Sequence, residues 1–424
     1  MAPEARGIAG ATRYVASNGL VALIQRNPSA PTVSVRGEVG VGAVHETAAQ
    51  NGLAAFTGAA LIRGAGERTF QQIVAETEER GCSVNAAGGL HTSGFAGKAL
   101  VEDLPLILAV LADMLARPTF PPHEVEKLRG QFLTSLRESE QETGTQAWRA
   151  ARALLYPPEH PYSRLTSGTI ETVQALTRED LVRFHQRYHP AAATVAIVGD
   201  VEPQAVIPLL ETSLGAWPPA GSPPTLDLPP APPLEAILRR DVPMSGKIQS
   251  DIVWAVHGLR RTDPDYYPAM MANMILGRLG IGGRLGENVR EEQGMAYYCY
   301  SNLDADVGAG PWSAVAGVNP ANVERAIEAL VHEVATFAEQ GPTAQEVADA
   351  RDYLTGSLVL SLETNDGIAA ALLAIERFGL GLDFIERYPA IIGAVTADQI
   401  VDVARRYLST ERYVLAVAGP PAGP

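Results

Sequence analysis

Between Trp217 and Pro233 the chain reads WPPAGSPPTLDLPPAPP, eight prolines in seventeen residues. Proline fixes φ and has no N–H to offer a ladder, so this stretch is extended, semi-rigid and without a core of its own. The chain of 424 residues is in any case too long for one compact core, and its length predicts two or three domains. The segment therefore reads as a linker over 217–234, between an N-terminal domain at 1–216 and a C-terminal domain at 235–424.

The two halves resemble each other. LTREDLVRFHQRYHPAAATVAIVGD (176–200) matches VTADQIVDVARRYLSTERYVLAVAGP (395–420), pairing Arg187-Tyr188 with Arg406-Tyr407 at an offset of 219. Each begins with a helix-capping threonine, Thr177 and Thr396, and Gln399 completes a capping box in the second copy. EVEKLRGQFLTSL (124–136) matches EVADARDYLTGSL (346–358) at an offset of 222. Two matches in one order and at nearly one offset point to a duplicated domain.

Within each half, strand and helix signals mix without strict alternation. Val33, Val35, Val39 and Val41 alternate with Ser34, Glu38 and Gly40, the pattern of a half-buried strand. Thr69 to Arg80 reads as a helix, with Thr69 as cap, Gln72 at the capping-box position and Gly81 ending it. Helices are predicted at 102–116, 123–140 and 144–155, and a strand at 194–198. Long helices between separated strands give an α+β class, with two homologous domains and mainly antiparallel sheets packed with helices.

Composition narrows the function. Hydrophobic residues at 46% and charged residues at 19% fit a globular protein. The longest apolar runs, such as 105–116, fall short of the ~20 residues that span a bilayer, so no membrane is expected as a partner. Formal charge is −15, and only Lys98, Lys127 and Lys247 among 33 basic residues are lysine. No basic stripe is present to neutralise phosphates, so nucleic acid is not expected either. Cys82 and Cys299 lie far apart and outside any metal-type spacing, which favours a reducing compartment. The start, MAPEARGIAGATRY, lacks the basic and apolar regions of a secretory signal. The expected location is the cytoplasm.

Several segments, taken in order, resemble the insulinase/pitrilysin family of zinc metallopeptidases, which includes the mitochondrial processing peptidase. They are Asn18-Gly19-Leu20, Glu46, NGLAAFTGAALIRGAGERTF (51–70), GCSVNAAGG (81–89), RYHPAAATVAIVGD (187–200) and GGRLGENVREEQGMAYYCYS (282–301). The resemblance covers nearly the whole chain. It implies half-domains of about six strands with helices packed on them, in subunits that pair as a clamshell around a chamber.

The family's peptidases carry H-x-x-E-H on the helix after the G-L-A segment, two histidines on one helix face for zinc and a glutamate to activate water. Here those positions fall on Ala55, Gly58 and Ala59, none of which can ligate a metal or accept a proton. The family's third ligand falls near Thr134 and Ser135. His45-Glu46, His123-Glu124 and His332-Glu333 lack a histidine four residues after the first. His185 and His189 have i, i+4 spacing, but His189 precedes Pro190 at an expected helix end, which favours a structural role. No cofactor is expected in this chain. On the residues alone, Ala54, Ala55, Ala59 and Ala60 let a helix pack closely on a sheet; with the flanking resemblance they mark a degenerate metal helix.

The segment from Gly282 to Ser301 predicts a helix ending near Glu292, a Gln293-Gly294 turn and a strand over Met295–Ser301. Arginine in a last helical turn suits the helix dipole, and tyrosine is a common strand residue. The R-x6-Y spacing of Arg290 and Tyr297 also resembles the pair that the family's non-zinc half supplies to bind the substrate carbonyl and the oxyanion. Tyr298 and Tyr300 are neighbours, but only Tyr297 fits the spacing. Gly277, Gly280, Gly282 and Gly283 do not form a phosphate loop, because no Lys-Ser/Thr or G-x-G-x-x-G follows. They are either a flexible turn or, by resemblance to the processing peptidase's non-catalytic subunit, a loop at Gly280, Gly282 and Gly283 that guides substrate.

The resemblance implies a catalytically incomplete subunit of a heterodimeric zinc peptidase. Its partner would be a homologous chain that carries H-x-x-E-H and the zinc, and its substrate a peptide or unfolded polypeptide. The competing readings are a scaffold of the same fold with no proteolytic role and a stand-alone peptide-binding protein.

Overall fold

The computed structural model describes residues 10–421. The first half of the chain gives β1 (Thr12–Val15), β2 (Val21–Arg26), β3 (Thr32–Val39), α1 (Leu53–Ala60), the short β4 (Gly64–Ala65) and β5 (Arg68–Thr69), and α2 (Phe70–Glu78). It continues through β6 (Ser83–Gly88), β7 (Ser93–Leu100), α3 (Leu104–Ala116), α4 (Pro122–Ser139), α5 (Thr143–Leu155), α6 (Ile170–Ala175), α7 (Arg178–His185), β8 (Ala193–Gly199) and α8 (Pro203–Thr212). The second half gives β9 (Leu238–Pro243), β10 (Ser250–His257), α9 (Tyr266–Gly277), and α10 (Gly283–Leu285) running into a π-helix over Gly286–Glu292. After it come β11 (Ala296–Ala305), β12 (Ala309–Val318), α11 (Val323–Gln340), α12 (Ala344–Ser361), α13 (Asn365–Arg377), α14 (Phe384–Gly393), α15 (Ala397–Tyr407) and β13 (Val414–Gly419).

The caps act as the sequence predicts. Thr69 accepts from the Gln72 amide and Gln72 answers in a capping box, with Gly81 at φ 65° just beyond the helix. Thr396 and Gln399 repeat the device at α15, and Thr177 with Asp180 forms the same box at α7. Helix α7 ends at His185, earlier than the His189 expected, because the His189 ring caps the following turn by accepting from the Ala191 amide at 3.1 Å.

The chain folds as an α+β protein with one larger sheet in each half. The first sheet has the order β1-β2-β8-β3-β7-β6, antiparallel except for β2 with β8. The second has the order β11-β12-β10-β13-β9, antiparallel except for β13 with β9. The repeated segments ending in TVAIVG and VLAVAG form β8 and β13. Each lies beside the central strand (β3 or β10) and runs parallel to the half's early strand (β2 or β9). The duplication read from sequence is therefore also a duplication of topology.

The compact units are not the contiguous stretches 1–216 and 235–424. One unit gathers the chain up to Leu136, Leu165–Asp227 and Val359–Arg387; the other gathers Arg137–Arg164, Leu228–Leu358 and the chain from Tyr388 onward. Each sheet is thus covered by a helix from the opposite half of the sequence. Helix α13 packs on β3 and β8, while α5 packs on β10, β13 and β9. Strand β3 is accordingly covered on both faces and not half-buried. Val33, Val35 and Val39 are buried, and so is Ser34 at 3% exposure. On the Ser34 face Glu38 pairs with Arg377 of α13 at 2.6 Å, and Arg36 pairs with Asp366 at 2.7 Å.

The two exchanged helices are anchored alike. Asn365, the first residue of α13, donates through Nδ2 to the Thr32 carbonyl at 3.2 Å and to Thr32 Oγ1 at 3.3 Å. Thr143, the first residue of α5, donates its hydroxyl to Asp251 Oδ2. Thr32 and Asp251 stand 219 apart and Thr143 and Asn365 stand 222 apart, the same offsets as the sequence repeat. Beyond the anchor, α5 buries Ala147, Ala150, Ala151 and Leu155, a stripe of mostly small side chains that lets its backbone lie close to the sheet.

The exchange makes α13 part of the first unit's core. Leu372, fully buried on α13, should cost about 2–5 kcal/mol when replaced by alanine. Asp366→Ala on the same helix removes only an exposed pair and should stay within about 0.5–1 kcal/mol. Urea unfolding of the two variants, with amide exchange at β3, checks this ordering.

Candidate functional site

Glu46 is 8% exposed, and its carboxylate accepts from Asn51 Nδ2 at 3.0 Å, the Gly52 amide at 3.0 Å and the Ala54 amide at 2.9 Å. A carboxylate is well matched to the unsatisfied N–H groups and positive dipole end of a helix. The cap residue itself is Gly52, at φ 99°, where a side chain would be strained. Glu46, singled out in the sequence only by resemblance, therefore sets the start of α1.

Ala55, Gly58 and Ala59 lie on the helix that Glu46 caps. Gly58 is buried against β6. A Cβ built there would fall 2.6 Å from the Ala87 carbonyl carbon and closer still to the Gly88 nitrogen. A Cβ at Gly88 would in turn overlap the Ala54 carbonyl. Helix and strand approach backbone to backbone, so position 58 has no room for a glutamate side chain. Thr134 and Ser135 are exposed on α4, and Thr134 Oγ1 donates to the Gly130 carbonyl at 3.0 Å. These residues do not fit a zinc ion. Among the described residues no cluster of three or more His, Cys, Asp or Glu is arranged to hold a metal.

His185 and His45 have structural partners. His185 Nε2 lies 2.8 Å from the Leu115 carbonyl, and burial lowers its pKa. His45 Nδ1 accepts from the Gly42 amide at 3.2 Å, and burial likewise lowers its pKa. Glu124 is buried 3.5 Å from Arg63, and Glu333 accepts from Asn288 at 2.9 Å.

Arg290 and Tyr297 stand on two irregularities of the second unit's backbone. Arg290 lies in the π-helix Gly286–Glu292, a rare form of helix that is found frequently at functional sites. Its guanidinium is 41% exposed and lies 3.5 Å from Glu291. The chain then turns through Gly294 at φ 59°, with the Gly294 amide donating to the Arg290 carbonyl and the Met295 amide to the Val289 carbonyl, each at 3.1 Å. On β11 the register steps from Ala296 opposite Val318 to Tyr298 opposite Gly317, which leaves Tyr297 as the extra residue of a β-bulge. A bulge re-aims the side chain it carries, and Tyr297 is 62% exposed.

The neighbouring tyrosines are engaged otherwise. Tyr298 crosses β12 over Gly317, where a Cβ would come within 2.5 Å of the ring, and its hydroxyl donates to Asp251 Oδ1 on β10. Burial, then the bond to Asp251, raises the Tyr298 pKa, so the hydroxyl stays a donor. The Tyr300 ring lies under the Arg278 guanidinium, 5.0 Å away.

Gly280, at φ 57°, faces open space, whereas Gly282 and Gly283 are packing glycines. Both have positive φ, and Gly283 approaches the Leu276–Gly277 backbone so closely that a Cβ would lie 2.7 Å from the Gly277 nitrogen. Gly280 and Gly283 also border a cavity of about 370 Å³ with Ile281, Arg284, Glu346 and Asp349. Arg284 bonds Glu346 at 2.5 and 2.7 Å. Burial pushes the Glu346 carboxyl up, but the hydrogen bonds from Arg284 and Thr343 outweigh it and hold the group below its ordinary value.

Residues 21–154 match the family described as Insulinase (Peptidase family M16), and residues 175–354 match the Peptidase M16 inactive domain. The chain belongs to peptidase family M16. An uncharacterised zinc protease of Streptomyces coelicolor is 28% identical over 98% of this chain and 90% of its own length. The mitochondrial-processing peptidase subunit beta of Lentinula edodes is 24% identical over 95% of this chain and 88% of its own. Among solved structures, a peptidase M16 inactive domain from Pseudomonas fluorescens superposes with a TM-score of 0.89 at 23% identity, covering 98% of this chain and 99% of that one. A Helicobacter pylori protease gives 0.90 at 17% identity over 97% and 99%. These two confirm the fold.

Within this M16 fold, position 58 has no space for a larger side chain. Gly58→Ala alone should destabilise the protein by about 1–3 kcal/mol through overpacking, and Gly58→Glu by more. Gly130→Ala, in open space on α4, should be neutral or slightly stabilising. Urea midpoints of the three variants test the comparison.

Proposed function

We propose that this protein is the non-catalytic subunit of a two-chain M16 peptidase and contributes Arg290 and Tyr297 to a site whose zinc is held by a homologous partner carrying H-x-x-E-H. The observation that supports this reading most directly is a contrast between the two halves. Helix α1 has no ligand and no room for the catalytic glutamate, yet Arg290 and Tyr297 remain exposed, each on an irregular backbone element. A relative named as the beta subunit of a processing peptidase is consistent with assembly from two chains.

The chemistry of the pair suits binding of a peptide. Arg290 offers a permanently charged, planar set of donors, and Tyr297 offers one directed neutral donor. Both can donate to a substrate carbonyl oxygen, and such donors matter most where negative charge develops on that oxygen. The substrate class is an extended or unfolded polypeptide, whose backbone carbonyls are accessible. Gly280, on the exposed turn before the π-helix, can admit a main chain closely.

Elemental analysis of metal-loaded, desalted protein should find no stoichiometric zinc in the lone chain. Co-expressed with a homologous H-x-x-E-H chain of the same organism, it should elute as one complex that cleaves an unstructured peptide. Tyr297→Phe should lower turnover at least ~10-fold, and Arg290→Ala further, with complex stoichiometry and the partner's zinc unchanged. Tyr300→Phe should stay near wild type. Full turnover in both the Arg290 and Tyr297 variants would leave the chain as a scaffold.

A further inference from the structure

Asp251 is the most unusual group in the second unit. It is a carboxylate at 2% exposure in the middle of a sheet, and no arginine or lysine pairs with it among the described residues. Its charge is met by neutral donors alone. Thr143 Oγ1 at the start of α5 donates to Oδ2, Tyr298 donates to Oδ1, and Gln249 Nε2 lies 3.2 Å from each oxygen. Burying a carboxyl group carries a desolvation cost, which these hydrogen bonds must offset. Anchoring α5 does not require it, since Asn365 anchors α13 to Thr32 in the first unit with neutral groups only.

The bond that has no counterpart in that first anchor is the one to Tyr298. Tyr298 is the residue immediately after the bulge, and its ring reaches across β12 only because position 317 is glycine. The bond therefore fixes the strand at the point where pairing resumes, one residue from the exposed Tyr297 side chain.

We infer that Asp251 and Tyr298 are positioning residues, whose hydrogen bond across Gly317 holds the β11 bulge and so aims Tyr297. The inference rests on the subunit reading above, and it adds two residues that touch no substrate. A charged acceptor serves this role better than a neutral one because a charge-assisted bond is shorter and stronger, which narrows the geometry at Tyr298.

The test has two parts, and the first needs only the purified chain. Tyr298→Phe keeps the ring over Gly317 and removes the bond; Asp251→Asn keeps an acceptor and the side-chain shape. Amide exchange over residues 295–300 should quicken at least ~10-fold in Tyr298→Phe and less in Asp251→Asn, with exchange at β13 near wild type. Unchanged exchange at 295–300, or equal acceleration throughout the second unit, overturns the inference. In the second part, the reconstituted pair is assayed on an unstructured peptide. Tyr298→Phe should lower kcat at least ~5-fold with KM within ~2-fold of wild type, the signature of a mis-aimed donor. Loss of turnover in Tyr297→Phe but not in Tyr298→Phe overturns the positioning role and leaves the subunit reading standing. Full turnover in both the Arg290 and Tyr297 variants removes the subunit reading, and this inference with it.

Discussion

Each sheet has a face that a helix from the other half of the chain covers, and the rest of the structure depends on that exchange. Strand β3 carries Ser34, Arg36 and Glu38 on the face toward α13, where Asp366 and Arg377 complete the charges. Without α13 these groups would leave a charged face with no partner of its own, and the first unit would be an incomplete layer. The second unit repeats the arrangement with α5. Ala147, Ala150 and Ala151 allow that helix to lie near the sheet, and Thr143 fixes its first turn. Because each exchanged helix starts from a side-chain bond to the head of the central strand, its register on the sheet is set at one end.

The same economy of space governs the helix at positions 55–59. Gly58 and Gly88 bring α1 and β6 into backbone contact, an approach that the absence of two Cβ atoms permits. Once the helix has settled there, a glutamate at 58 is excluded by sterics and not only by composition. The cap at Glu46 is kept because it serves the helix itself; its three donors need an acceptor whether or not a metal lies further along.

Much of this was legible in the sequence, and the limits are physical. Capping boxes, helix spans and the duplicated strand announce themselves because they rest on local chemistry, as Thr69 with Gln72 shows. The close packing of α1 on the sheet is likewise foreshadowed by the small residues Ala54, Ala55, Ala59 and Ala60. The exchange of α5 and α13 was not legible, since amphipathicity shows that a helix buries one face but not what it buries it against. The half-buried reading of β3 failed for the same reason. The proline segment marked a boundary in sequence, while the compact units follow packing. The bulge at Tyr297 was hidden too, because a register shift depends on the partner strand, and nothing local to 296–298 reveals Gly317. A glycine in a strand rich in small and β-branched residues was the only available sign.

The irregular elements of the second half bear on whether this chain is a scaffold. A π-helix and a bulge each give up regular hydrogen bonding, and a buried carboxyl group has to have its hydrogen bonds met by dedicated donors. A protein kept only for its shape gains nothing from these features, and mutations that regularise them would be stabilising. The first half contrasts with this: α1 lies in backbone contact with β6, and positions 55, 58 and 59 hold only small side chains. Arg290 is held on the π-helix and Tyr297 on the bulge, both side chains point to solvent, and neither is needed to fill a core. On the subunit reading proposed above, the exposed donors carried by these two irregular elements are the groups that would meet a substrate carbonyl.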